Sequence, residues 1–201
     1  MTPCFYYSQA VLERFLHFLS IATVSSEGVI SGSYVQAADF LVAFGDKLGL
    51  ESKKFEYAIG KPIVLLKWTG RDPSLPAVLL NSHYDVVPAV KEHWKTDPFK
   101  PVLDEASAAI FGRGTQDMKS VCMQYLEAIA RLKAADATAT SPFLRTIYLS
   151  YLPDEEVGGS DGAAQFVNDS LFKQLNVGVA LDEVPHSFDE GAKQIENNKK
   201  Q

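Results

Sequence analysis

The chain has 201 residues, enough for one sizeable hydrophobic core or slightly more. With 46% apolar and 22% charged residues it has the make-up of an ordinary folded domain, which argues against disorder. A net charge of -6 argues against nucleic acid as a partner, because that binding needs a basic face to neutralise phosphates.

No uninterrupted apolar run is long enough to span a bilayer, so no membrane partner is expected. The start of the chain lacks a basic n-region, and Glu13, Arg14 and His17 break its apolar run, so it does not read as a signal peptide. Cys4 and Cys122 have no CxxC spacing. They argue against a disulfide framework and for a cytoplasmic setting with reduced thiols.

In chain order, Ser8 is placed to cap a helix over 9–21, with Val11, Leu12, Phe15, Leu16 and Leu19 on one face. A Ser/Gly-rich loop over 25–33 follows. A second helix is expected over 34–48, with Val35, Ala38, Leu41, Val42 and Leu48 inward and Gly49 as its C-terminal cap. Two strands are expected over 55–59 and 63–68, each followed by a Gly/Pro turn. The apolar run over 77–82 does not alternate, which predicts a strand buried on both faces. The stretch 88–106 reads as a long loop of the functional kind.

A strong helix is expected over 118–134, then a small-residue linker over 136–142. A strand over 145–152, a short helix over 161–168 and a last strand over 177–181 complete the series. This alternation predicts an α/β fold with a mixed, partly parallel sheet flanked by helices. The division expected is a catalytic unit over 1–186 and a polar tail over 187–201.

Acid and imidazole side chains sit at the ends of these apolar runs, where ligands bind in open α/β sheets. His83 and Asp85 follow the run over 77–82, two apart and on one side of an extended chain. One can bind a metal while the other orients it. Asp117 follows Gly112-Arg113-Gly114 and opens a helix. Glu155 and Glu156 follow one strand, and Asp182 follows another. Singly, each has a bland role: a hydrogen-bonded histidine, a helix cap, a solvated acidic turn. Together they suggest a metal site of hydrolytic type, because clustered carboxylates cost stability unless a cation offsets them. Adjacent glutamates can then divide the work, one holding the ion and one acting as base.

At these residues the sequence resembles the zinc-dependent aminoacylases (aminoacylase I type), within the co-catalytic zinc exopeptidases and deacylases. The matching text is Asn81-Ser82-His83-Tyr84-Asp85-Val86-Val87-Pro88, His93-Trp94 through Asp97-Pro98-Phe99, Gly112 to Lys119, Pro153 to Gly159, and Ala180-Leu181-Asp182-Glu183. The blocks run in family order and cover residues 8–183. The resemblance implies a zinc exopeptidase-like catalytic domain holding two Zn2+ ions. His83 and Asp182 would bind one ion, Glu156 the other, and Asp117 would bridge them. Asp85 would orient His83, and Glu155 would be the general base. The implied reaction is hydrolysis of an N-acyl-L-amino acid, a small-molecule substrate, to a carboxylate and a free L-amino acid.

The family also takes a zinc-binding histidine from a later segment and has a lid and dimerisation domain that makes it a homodimer. Against that pattern the chain is expected to be C-terminally truncated, with the lid and dimerisation domain absent. Two alternatives follow. One is an inactive chain that binds zinc or a full-length relative. The other is a metallopeptidase of dipeptidase or carboxypeptidase type.

Overall fold

The computed structural model describes residues 8–135 and 142–183. Most of the expected linker over 136–142 and all of the polar tail over 187–201 lie outside the described residues. Among the described residues no helix is long and apolar enough to cross a membrane.

Helices α1 (Gln9–Ser20), α2 (Gly28–Ser31) and α3 (Ser33–Lys47) lead into strands β1 (Glu51–Glu56), β2 (Pro62–Trp68) and β3 (Ala77–His83). A hairpin of β4 (Val102–Asp104) and β5 (Ala109–Phe111) precedes α4 (Lys119–Ala135) and β6 (Ile147–Leu152). Two short helices, α5 (Ala163–Asn168) and α6 (Ser170–Gln174), lead to β7 (Val177–Leu181). The main sheet has the order β1-β2-β6-β3-β7. Its first two pairings are antiparallel, and β3 runs parallel to both β6 and β7. The sheet is therefore mixed and partly parallel, as the alternation of elements predicts.

Helices cover both faces of this sheet, which explains why its central strands read as unbroken apolar runs. Along β2, Val64 and Leu66 face one core with Phe18, Leu41, Leu126 and Leu149. Ile63 and Leu65, one residue out of phase, face a second core with Leu152, Phe166 and Leu175. The period of two along a strand sends neighbours to opposite sides. Each fully buried side chain of this size favours the fold by about 1.5–3 kcal/mol over leaving it in water.

Several elements differ from the sequence-based expectation. The buried stripe of α3 is Tyr34, Ala37, Ala38, Leu41 and Phe44, while Val35 is 41% exposed. Tyr34 wins the inward position because its ring packs edge-on against the buried ring of Tyr84. The loop expected over 25–33 contains α2. The strand expected over 55–59 begins earlier, because β1 is held in register by cross-strand pairing from Glu51 opposite Lys67 to Glu56 opposite Pro62. The stretch 88–106 contains a 3-10 turn, Lys91–His93, and the first strand of the hairpin. The Asp104 carboxylate closes that hairpin by accepting from the Ala106 N–H and the Ser107 hydroxyl. The strand over 177–181 forms as expected, at the sheet edge, with Val179 56% and Leu181 50% exposed.

Candidate metal centre

Because β6, β3 and β7 are parallel neighbours, their carboxyl ends lie side by side. His83 stands opposite Leu152, the last residue of β6. The segments leaving these three strands are thus Tyr84-Asp85, Pro153 to Glu156, and Asp182-Glu183. Asp117 arrives from the fourth side, in the turn before α4, where its peptide bond to Met118 is cis. Lys119 anchors that turn: its buried ammonium donates to the carbonyls of Phe18 and Ile21 at the end of α1, at 3.2 and 2.6 Å.

His83 is 1% exposed. Its Nδ1 lies 3.0 Å from the Asp85 carbonyl and 3.2 Å from the Asp85 carboxylate. This leaves Nε2 facing the acids, 3.1 Å from Asp117 Oδ1, 3.6 Å from Glu155 Oε2 and 3.7 Å from Glu183 Oε2. Single ligand atoms from His83, Asp117 and Glu183 lie within 4.8 Å of one another, a grouping that can hold a metal ion.

Asp85 organises the centre from beneath. Its fully buried carboxylate accepts from the backbone N–H groups of Glu155 (3.1 Å) and Glu156 (3.2 Å) and from the Ser25 hydroxyl (3.1 Å). One side chain therefore sets the histidine ring and the glutamate pair together. Asp154, the first of three successive acids, points inward and accepts from the N–H groups of Asp161 and Gly162 at 2.9 and 3.1 Å. Position 162 needs glycine, because a β-carbon there collides with that carboxylate.

Of the six residues singled out from the sequence, His83, Asp85, Asp117 and Glu155 meet at this point. The Glu156 carboxyl is raised by burial and then by the charge of Asp117, and it does not join the three-residue group. Asp182 lies outside the three-residue group. Its Oδ2 accepts from the Asn81 amide at 2.8 Å and its Oδ1 from the Glu183 N–H at 2.9 Å, so both oxygens are engaged. Glu183 takes the place beside the imidazole. Sequence reading saw two adjacent acids and had no signal for which of them faces inward. His17 packs against Phe40, with ring centroids 5.5 Å apart, and His93 lies on the exposed 3-10 turn. Cys122 is buried with its thiol 3.0 Å from the His83 carbonyl, and burial pushes the thiol up to about 12.

Residues 79–195 match the profile of peptidase family M20/M25/M40. The chain belongs to this family. It is of the aminoacylase-1 type. It is 46% identical to aminoacylase-1 of Mus musculus over 169 residues, 84% of this chain and 39% of that protein. It is 48% identical to aminoacylase-1 of Dictyostelium discoideum over 151 residues, 75% of this chain and 36% of that protein. The chain thus spans less than two fifths of the length of either relative. In fold it is similar to an M20 family metallo-carboxypeptidase from Sulfolobus solfataricus, with a TM-score of 0.73 at 24% identity, over 89% of this chain and 38% of that chain.

The charges of this M20 centre make a testable pattern. Burial lowers the proton affinity of His83, but the Asp85 hydrogen bond and charge, with Glu183 and Glu155, overcome it and lift the imidazole from 6.5 to about 9. Burial, then the charges of Asp117 and Glu155, lifts Glu183 from 4.5 to about 7 against the pull of His83. Both groups bind protons more tightly when folded. Their contribution is complete below the unfolded values and is lost as the pH climbs through the folded ones. Lys119 works the other way above neutrality, because burial lowers it from 10.5 to about 7 and folding there disfavours its proton.

The metal-free chain is therefore expected to lose melting temperature between about pH 5 and 7 and to level off above that, where His83 and Lys119 oppose each other. Thermal melts in chelator across that range test this, with Glu183→Gln expected to flatten the fall. A wild-type melting temperature that rises through the window would refute it.

Proposed function

We propose that this chain forms part of a zinc-dependent amidohydrolase that cleaves N-acyl-L-amino acids into a carboxylate and a free L-amino acid. The observation that carries this reading is the convergence of His83, Asp117 and Glu183 on one point, with Glu155 beside it, in a chain 46% identical to mouse aminoacylase-1.

One imidazole nitrogen and two carboxylate oxygens are donors that suit zinc. The Nδ1–H of His83 is held by Asp85, so the ring presents the Nε2 lone pair once that nitrogen is deprotonated. His83 and Glu183 would hold one ion, and Glu183 takes the role that the resemblance assigned to Asp182. Asp117 lies against His83 on one side and acts electrostatically on Glu156 on the other, which suits it to bridge to a second ion held by Glu156. When bound, the ions supply polarisation of the amide carbonyl and a lower pKa for the attacking water.

The remaining work falls to the chain. Glu155 is half-exposed, so its carboxylate is open to water and substrate while its backbone N–H is pinned to Asp85. It takes the proton of the attacking water and returns it to the leaving amine nitrogen. The buried, free Cys122 thiol supports a reducing, cytoplasmic setting.

The test is release of L-methionine from N-acetyl-L-methionine by the 201-residue chain with added zinc. Zinc-dependent release is the expected result. A folded chain that binds zinc and releases none would overturn the proposal for this chain. Cleavage of a dipeptide with N-acetyl-L-methionine untouched would overturn the substrate class.

A further inference from the structure

We infer that Asn81 is a positioning residue that aims Glu183 at the metal centre through Asp182. This rests on the reading that His83, Asp117 and Glu183 hold a metal ion. A short hydrogen-bond chain crosses the three parallel strand ends. The hydroxyl of Ser150, fully buried on β6, donates to the Asn81 Oδ1 on β3. The Asn81 Nδ2 donates to Asp182 Oδ2 at 2.8 Å, just beyond β7. Asp182 Oδ1 accepts from the Glu183 N–H at 2.9 Å. The Glu183 carboxylate then lies 3.7 Å from His83 Nε2.

The chemistry of the chain runs one way. A carboxylate only accepts, so the amide nitrogen of Asn81 must face Asp182 and its oxygen must face Ser150. Asn81 pairs with Ser150 in the sheet register, one step beyond the pair of Leu80 and Leu181. The side chain thus grips the segment at the point where strand pairing with β7 ends. That grip matters because β7 is an exposed edge strand that buries little of its own surface.

Asn81→Asp tests this with a near-isosteric change. It places a carboxylate against Asp182, so the two repel and the segment swings away. Electrostatics alone predicts the opposite result, since one more negative charge near a cation tightens binding. The reciprocal double variant Asn81→Asp/Asp182→Asn restores every bond with the donor reversed. The carboxylate introduced at position 81 would accept from Ser150 and from the new amide at position 182, whose oxygen still accepts from the Glu183 N–H.

Zinc affinity of the full chain, measured by calorimetry, is expected to fall about tenfold or more in Asn81→Asp, the usual size for loss of a residue that supports a ligand. The double variant is expected to return to within about threefold of wild type. Unchanged or tighter binding in Asn81→Asp, or no recovery in a double variant that melts like wild type, would overturn the inference. Glu183→Gln run beside them separates the two levels. If it binds zinc as tightly as wild type, the metal reading fails and this inference with it.

Discussion

Glu155→Gln is expected to lower turnover of N-acetyl-L-methionine by about 10²–10⁴-fold, the range that a positioned general base supplies. Zinc affinity should stay within a few-fold of wild type. The reason is geometric. The Glu155 carboxylate is 3.6 Å from His83 Nε2 and half-exposed, outside the three residues whose ligand atoms converge. The substitution keeps the backbone N–H that Asp85 binds, so the strand-end segment stays in place. The amide cannot accept and return a proton at neutral pH. Steady-state kinetics and calorimetry on the same preparation separate the two effects. Turnover within threefold of wild type would show that another group is the base. A parallel loss of zinc would make Glu155 a ligand.

Asp85→Ala is expected to damage both the fold and the metal centre. Its carboxylate is fully buried and serves the His83 ring, two backbone N–H groups and the Ser25 hydroxyl. Removing it leaves two backbone N–H groups without their acceptor and takes the carboxylate from the buried His83 ring, and the loss of one member of such a set costs about 3–5 kcal/mol. For a chain of this size that corresponds to a fall in melting temperature of roughly 10 °C. Zinc affinity should fall by about 10–100-fold as well, because His83 loses the carboxylate that orients its ring and raises its basicity and keeps only the backbone carbonyl of residue 85 on Nδ1. Asp85→Asn keeps the volume and one acceptor, and it should recover part of the melting temperature but little of the zinc affinity. A melting temperature within about 2 °C of wild type in Asp85→Ala would contradict this account of a buried hub.

Much of this was legible from local pattern. Unbroken apolar runs at β2, β3 and β6 announce strands covered on both faces, and polar residues placed just after them announce the crevice at the strand ends. The motif blocks carried the family resemblance, and the structure brings His83, Asp85, Asp117 and Glu155 together. The differences fall where neighbouring residues compete for one position. Tyr34 against Val35 is one case, decided by an aromatic contact with Tyr84, far away in the chain. Asp182 and Glu183 are the other pair: Asn81, itself bonded to Ser150, holds Asp182, and Glu183 lies beside His83.

The sequence by itself determined the family and the class of fold. Both depend on residue type and on short-range periodicity, which are local properties of the chain. Tertiary structure alone decided which acid turns inward, that Asp154 braces a loop, and that Asp85 binds the histidine and the glutamate backbone at once. These depend on hydrogen bonds between strands far apart in sequence, and a carboxylate's direction is set by whichever donor the fold brings to it.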